Sequence, residues 1–166
     1  MIPRQRVLAW LIDCAGILGW LALTVAVGLV LRQLGVRPGP LGTNVLATVF
    51  GVAPVCLGLA IFESGRREAT PGKRRRHLVV VSTNQYRRIG LGRALVRNLL
   101  KVGLPWTLGH ALAIALVGGA TFTARLVVLA ALAYAVPIFY LITLLAPPHR
   151  PVYDRLSGTN VVARTG

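Results

Sequence analysis

The chain has 166 residues, of which 55% are hydrophobic and 14% charged, and its mean hydropathy is +0.67. Soluble domains carry about 25% charged residues, so this composition excludes a water-soluble protein and indicates a membrane protein with one domain over residues 1–166. The net charge of +15 would suit either nucleic acid or anionic lipid as a partner, and the positions of the basic residues distinguish the two.

Four apolar segments predict four transmembrane helices, because a helix needs about 20 apolar residues to cross a bilayer. They cover residues 7–31, 43–62, 99–117 and 126–146. The first segment is too long for a signal peptide and lacks a clear cleavage site, so we expect a retained helix. Pro54, Pro105 and Pro137 lie inside the other three, where local kinks are expected. The predicted fold class is an all-α membrane protein.

The basic residues are concentrated in three parts of the chain. Of the 19, sixteen lie before the first span, in residues 63–101, or after residue 146. By the positive-inside rule, both termini, the loop 63–98 and the tail 147–166 should be cytoplasmic. This clustering explains the net charge without nucleic acid and indicates anionic lipid headgroups as partners. The abundance of Arg, Ala, Val, Gly and Leu is typical of a GC-rich bacterial genome, so we expect a bacterial cell membrane.

The loop before the third span predicts an amphipathic interfacial helix over residues 89–98. Arg93, Arg97 and Lys101 recur every four residues beside a leucine stripe. With Lys73 and Arg74 they would form a basic interfacial face that meets phosphates or acidic side chains. The alternative is a snorkelling helix entry with no specific ligand. Two short runs, HLVVVS and the VVA near the end of the chain, are predicted to be extended.

Asp13 is the single charge inside the first span, roughly 9 Å below the interface. A carboxylate in a membrane helix is costly, so we expect it to face another element. Its candidate cationic partners are Arg6, Arg93 and Arg97. It could fix helix packing, exchange protons or cations, or bind a partner. A second acid, Asp154, follows the last span, and we predict that Arg6, Asp13 and Asp154 cluster at the cytoplasmic end.

No pattern for catalysis, a metal or a cofactor is present in the sequence. Cys14 and Cys56 are far apart in apolar runs, which favours buried apolar side chains. The three histidines are scattered, and His110 in the third span is expected to make a hydrogen bond between helices. The stretch GKRRR lacks the remaining residues of a phosphate-binding P-loop. We therefore do not expect an enzyme.

Four motifs, taken in order, resemble those of the RDD family of small bacterial integral membrane proteins, named for one arginine and two aspartates. They are RVLAWLID with Arg6 and Asp13, TPGKRRRHLVVV, GRALVRNLLK, and YDRLSGTNVV with Asp154. Two departures are STNQYRR, where the family often has an Asp/Gly turn, and Tyr153, where a His is common.

The resemblance implies an integral membrane protein with either of two activities, because some relatives are thought to be cation/proton antiporters and others assembly partners of larger complexes. We favour a non-catalytic module that binds a protein partner or anionic lipid and is organised by the Arg6, Asp13 and Asp154 cluster. A homodimer is another candidate assembly, and an exchange pathway through so few helices would require one. The alternative is a cation/proton antiporter in which Asp13 is the exchanging carboxylate. Four helices without an inverted repeat weigh against a transporter.

Overall fold

The computed structural model describes residues 2–164, so residue 1 of the predicted domain and the last two residues of the predicted tail lie outside it. Within this part, four helices are long and apolar enough to cross a membrane: α1 (Ile2–Gln33), α2 (Pro40–Ser64), α4 (Leu91–Val117) and α5 (Ala124–Leu145). Each predicted span falls on one of them, which confirms the all-α membrane fold. The shorter elements are α3 (Pro71–Arg75), β1 (Leu78–Ser82), α6 (Val152–Leu156) and β2 (Thr159–Ala163).

The amphipathic helix predicted before the third span is present as Leu91–Asn98. It continues through a π-helical turn, Leu99–Gly103, into the apolar part of α4, so the two segments form one helix. Its polar face is turned inward, since Arg97 and Asn98 are buried. The amphipathic segment is therefore the first part of α4 and packs against its neighbours through Arg97 and Asn98.

The two predicted extended runs pair with each other. Strands β1 and β2 form an antiparallel two-stranded sheet whose register runs from Leu78 opposite Ala163 to Ser82 opposite Thr159. The β-branched valines of β1 suit a pleated, buried strand. With α3 and α6, this sheet forms a layer over one end of the helices, which we call the cap (residues 65–90 and 146–164).

An apolar core joins the cap to the membrane helices. It contains Leu78, Val80 and Val161 from the sheet, packed with Ala9 of α1, Ala60 of α2 and Ala94 of α4. Away from the cap, the outer faces of the helices expose large apolar side chains such as Leu18, Phe50, Val127 and Phe139. In a bilayer these faces contact lipid, because lipid offers no hydrogen bonds and favours apolar side chains on closed backbone helices.

Two of the span prolines lie next to π-helical turns, Ala47–Val52 before Pro54 and Leu99–Gly103 before Pro105. Proline has no N–H to donate to the preceding turn, and π-helical turns accommodate such a defect. The indole Nε1 of Trp20 donates a hydrogen bond to the backbone carbonyl of Phe50 at 3.0 Å. The hydroxyl of Tyr140 donates one to the backbone carbonyl of Leu100 at 3.0 Å. Neighbouring helices thus supply hydrogen bonds to the disturbed backbone.

Candidate functional site: a buried charge network

Three of the chain's four acidic side chains are buried where the cap meets the membrane helices. Glu63 ends α2, Asp154 lies in α6, and Asp13 lies in the first half of α1. Glu63 and Asp154 are fully buried, and Asp13 is 8% exposed. Buried carboxylates are stable only when donors surround them, so their partners define the site.

Glu63 accepts hydrogen bonds from three side chains. Lys73 donates its Nζ to Oε1, Arg97 donates its Nη1 to the same oxygen at 2.5 Å, and Asn98 donates its Nδ2 to Oε2 at 2.8 Å. Lys73 comes from α3 and the other two from α4, so this one carboxylate links the cap to two membrane helices. Charge-assisted bonds of this kind are short and strong.

Asp154 carries the network from α4 to α1. Arg97 donates its Nε to Oδ1 at 2.8 Å, and Arg6 forms an ion pair with Oδ2. Burial alone would raise the pKa of the Asp154 carboxyl, but Arg97 and then Arg6 outweigh it and hold this pKa below its ordinary value. The guanidinium of Arg97 also lies 5.7 Å from the centre of the Tyr153 ring. Arg97 therefore bridges Glu63 and Asp154 at the centre of the network.

Asp13 binds neutral donors of the cap. Thr70 donates its Oγ1 to Oδ2 at 2.6 Å, and the backbone N–H of Gly72 donates to Oδ1 at 2.8 Å. The expected cationic partners of Asp13 are engaged elsewhere, Arg6 and Arg97 with Asp154, and Arg93 with Ser82. None of the three candidate cations therefore pairs with Asp13, which is held by hydrogen bonds instead, because the tight turn at the start of α3 presents two donors.

The structure brings Arg6 and Asp154 into direct contact, and Asp13 lies beside them on the α1 face that holds α3. The residues of the predicted basic face do not lie on one common surface. Lys73 and Arg97 are buried in the network instead of being exposed at the interface, because Glu63 attracts both. Arg74 lies 5.8 Å from the centre of the Phe62 ring, whereas Arg93 is exposed and donates to Ser82 Oγ at 3.0 Å. Lys101 lines a cavity.

Sequence reasoning missed Glu63, Asn98, Thr70 and Gly72 as members of the site. Glu63 carried a usable signal, since it is one of only four acids and directly follows an apolar span. The expected hydrogen bond of His110 between helices is not observed at Nε2, which is buried without a partner within residues 2–164.

Two cavities lie on either side of α1, and Asp13 lines both. The first, of about 420 Å³, lies between α1 and α5. Its lining includes the basic residues Arg6, Lys73, Arg97 and Lys101. The second, of about 400 Å³, lies between α1 and α2, and Asp13 is the charged residue in its lining.

These features define a four-helix integral membrane protein whose cap is joined to the spans by a buried network of arginine, lysine and carboxylate side chains. The chain belongs to the RDD family, because the RDD family profile matches residues 3–158, nearly its whole length. Arg6, Asp13 and Asp154 lie within that match. No curated protein and no solved structure matches the chain.

Proposed function

We propose that this RDD-family protein is a non-catalytic module of the bacterial cell membrane whose cap binds a protein partner or anionic lipid headgroups. The observation that supports this role most is the complete engagement of the three buried carboxylates. Asp13, Glu63 and Asp154 each accept hydrogen bonds from groups of another element. Side chains held in this way fix the position of the cap, a role in which buried ion pairs act through geometry more than through net stability.

The outer surface of the cap has the charge that such a partner requires. Seven of its arginine side chains are exposed: Arg66, Arg67, Arg75, Arg87, Arg88, Arg155 and Arg164. The remaining acid of the chain, Glu68, is half-buried. We therefore place the cap, both termini and the loop 63–98 on the cytoplasmic side, where basic residues attract anionic headgroups by about 1 kcal/mol each. An acidic protein surface would be bound by the same residues.

Hydrogen exchange of the protein in nanodiscs tests this proposal. We expect residues 65–90 to exchange more slowly when phosphatidylglycerol is added to phosphatidylcholine nanodiscs, or when an extract of the native membrane is supplied. The variant Arg66→Gln/Arg67→Gln should lose this protection. Arg32→Gln/Arg37→Gln, which removes the same charge from exposed positions at the other end of the helices, should keep it. Exchange unchanged by either addition would refute binding at the cap.

One observation favours a second candidate, a cation/proton antiporter that uses Asp13. This carboxylate lines two cavities, one on each side of α1, which would give ions two approaches to it. Against this, the charged residues lining the larger cavity are four basic side chains and Asp13, and an excess of positive charge repels a cation. Proteoliposomes containing a pH-sensitive dye distinguish the two functions. Proton movement driven by Na⁺, K⁺ or Li⁺, present in wild type and lost in folded Asp13→Asn, would establish the antiporter.

A further inference from the structure

Lys101 differs from the other basic residues of the network. Arg6, Lys73 and Arg97 each pair with a carboxylate, whereas the Nζ of Lys101 has no hydrogen-bond or ion-pair partner within residues 2–164. Lys101 lies four residues after Arg97 in α4, which places it about 6 Å further along the helix, away from the cap. Its half-buried side chain lines the 420 Å³ cavity between α1 and α5.

The charges around this cavity do not balance. Four basic side chains face or adjoin it, and the network contains three carboxylates. One positive charge is therefore in excess, and Lys101 is the one of the four basic residues that has no partner within residues 2–164. A partly buried ammonium is stabilised when an anion supplies the missing charge and hydrogen bonds.

Apart from Asp13, whose carboxylate is already bound by Thr70 and Gly72, and the tyrosines Tyr140 and Tyr153, the remaining walls of the cavity are apolar. Val7 and Trp10 of α1 form one side, and Ile138, Leu141 and Leu144 of α5 form the other. Trp10 is 46% exposed, Ile138 56% and Leu141 51%, so these walls continue onto the outer surface of the helices. The cavity thus combines a cationic end with apolar walls that lead into the surrounding lipid. An amphiphile with an anionic head and a hydrocarbon chain complements both parts.

We propose that this cavity binds one anionic phospholipid, with its phosphate at Lys101 and the upper part of an acyl chain between α1 and α5. The proposal deepens the proposed function, on which it rests for the role of lipid as a ligand, but it concerns a site distinct from the cap surface. A zwitterionic lipid would leave the excess charge uncompensated. A free phosphate ion would leave the apolar walls unfilled.

Native mass spectrometry of the full chain in detergent tests this site. The protein is titrated with phosphatidylglycerol or with phosphatidylcholine of the same acyl chains. Wild type should retain one phosphatidylglycerol in preference to phosphatidylcholine, and Lys101→Gln should weaken that binding about tenfold or more, as loss of a charge-assisted hydrogen bond implies. Lys101→Arg should restore it. Arg93→Gln, which removes an exposed charge of the same helix, should leave it unchanged.

The failure of this proposal and that of the cap proposal can be distinguished. Arg66→Gln/Arg67→Gln should abolish protection of the cap while the bound phosphatidylglycerol is retained. Equal binding of both lipids, or undiminished binding by folded Lys101→Gln, would overturn the site. So would displacement of the lipid by inorganic phosphate, because the site would then belong to the free ion. If Lys101→Gln does not fold, Leu144→Trp fills the cavity instead, and unchanged binding by that variant would be equally decisive.

Discussion

The backbone N–H of Gly72 donates to the carboxylate of Asp13 at 2.8 Å, and this contact places the start of α3 directly on α1. A Cβ atom built on Gly72 would lie 2.0 Å from the carbonyl oxygen of Ala9. Glycine is therefore required at position 72 by the closeness of the two backbones. Together with the Thr70 hydroxyl, this N–H gives Asp13 the partners that an acid in a membrane helix needs.

Replacing Gly72 by alanine should separate α3 from α1. The added methyl group meets backbone atoms that cannot rotate away, so we expect a loss of about 1–3 kcal/mol in the free energy of unfolding. Thermal unfolding in detergent micelles measures this loss. Gly58→Ala is the matched control, because a Cβ atom at that helical glycine meets nothing within 4 Å. Equal melting temperatures for the two variants would show that α3 does not pack closely enough against α1 to require glycine at position 72.

Removing the charge of Glu63 should be among the most damaging single changes. Glu63→Gln leaves the buried cations Lys73 and Arg97 without the carboxylate they share, and breaking such a pair costs about 3–5 kcal/mol. We expect poor accumulation in the membrane and a large decrease in the denaturant concentration at half-unfolding. The same substitution at Glu68, which forms no ion pair within residues 2–164, should have little effect. If both variants accumulate normally, the network does not hold the cap.

Tyr153 should make the protein sensitive to alkaline pH. Burial first, and then the nearby Asp154 carboxylate, raise the pKa of its hydroxyl from 10 to about 12. Between these pH values the unfolded chain loses the proton while the folded chain keeps it, so stability decreases as the pH rises. Tyr153→Phe should remove this contribution to the decrease in the free energy of unfolding, which is at most about 3 kcal/mol. The free energy of unfolding measured from pH 8 to 12 checks this prediction, and Tyr86→Phe, at an exposed position, is the control. Parallel pH curves for Tyr153→Phe and wild type would contradict a role for Tyr153.

The indole of Trp20 should stabilise the contact between α1 and α2. Trp20→Phe keeps an aromatic ring but removes the donor to the Phe50 carbonyl, and hydrogen bonds between membrane helices contribute about 0.6–1.7 kcal/mol. A corresponding decrease in melting temperature is expected. Trp10→Phe should melt close to wild type, since the Trp10 indole donates no hydrogen bond within residues 2–164 and is 46% exposed. Equal stability of the two variants would show that the Trp20 hydrogen bond does not stabilise this contact.

The four spans were predictable because hydrophobic length is a local property of the chain. The proximity of Arg6 and Asp154 was predictable for a related reason, since the same loop assignment put both at one end of the helices. The pairing of β1 with β2 was not, because the two strands are separated by two membrane helices and no pattern in either one specifies its partner. Only the extended character of each run could be inferred.

The surroundings of the charged residues were the least predictable part of the site. The spacing of Arg93, Arg97 and Lys101 shows that they share a helix face, but it does not show what that face packs against. Arg97 packs against Glu63, and the two form an ion pair. Glu63 was missed in the sequence because an acid at the end of a span resembles an ordinary interface residue. One of the two partners of Asp13 is a backbone N–H, a group that every residue except proline possesses and that leaves no trace in a sequence.

The ion pair between Arg6 and Asp154 joins positions 148 residues apart. During synthesis, Arg6 enters the membrane region long before residue 154 leaves the ribosome, so all four spans can be inserted while this pair and the Arg97 contact to Asp154 are still open. The last step of assembly is therefore assigned to the tail, which completes the charge network only when the helices are already in place. A chain that lacks residues 154–166 would insert its four spans but leave Arg6 and Arg97 without the Asp154 carboxylate.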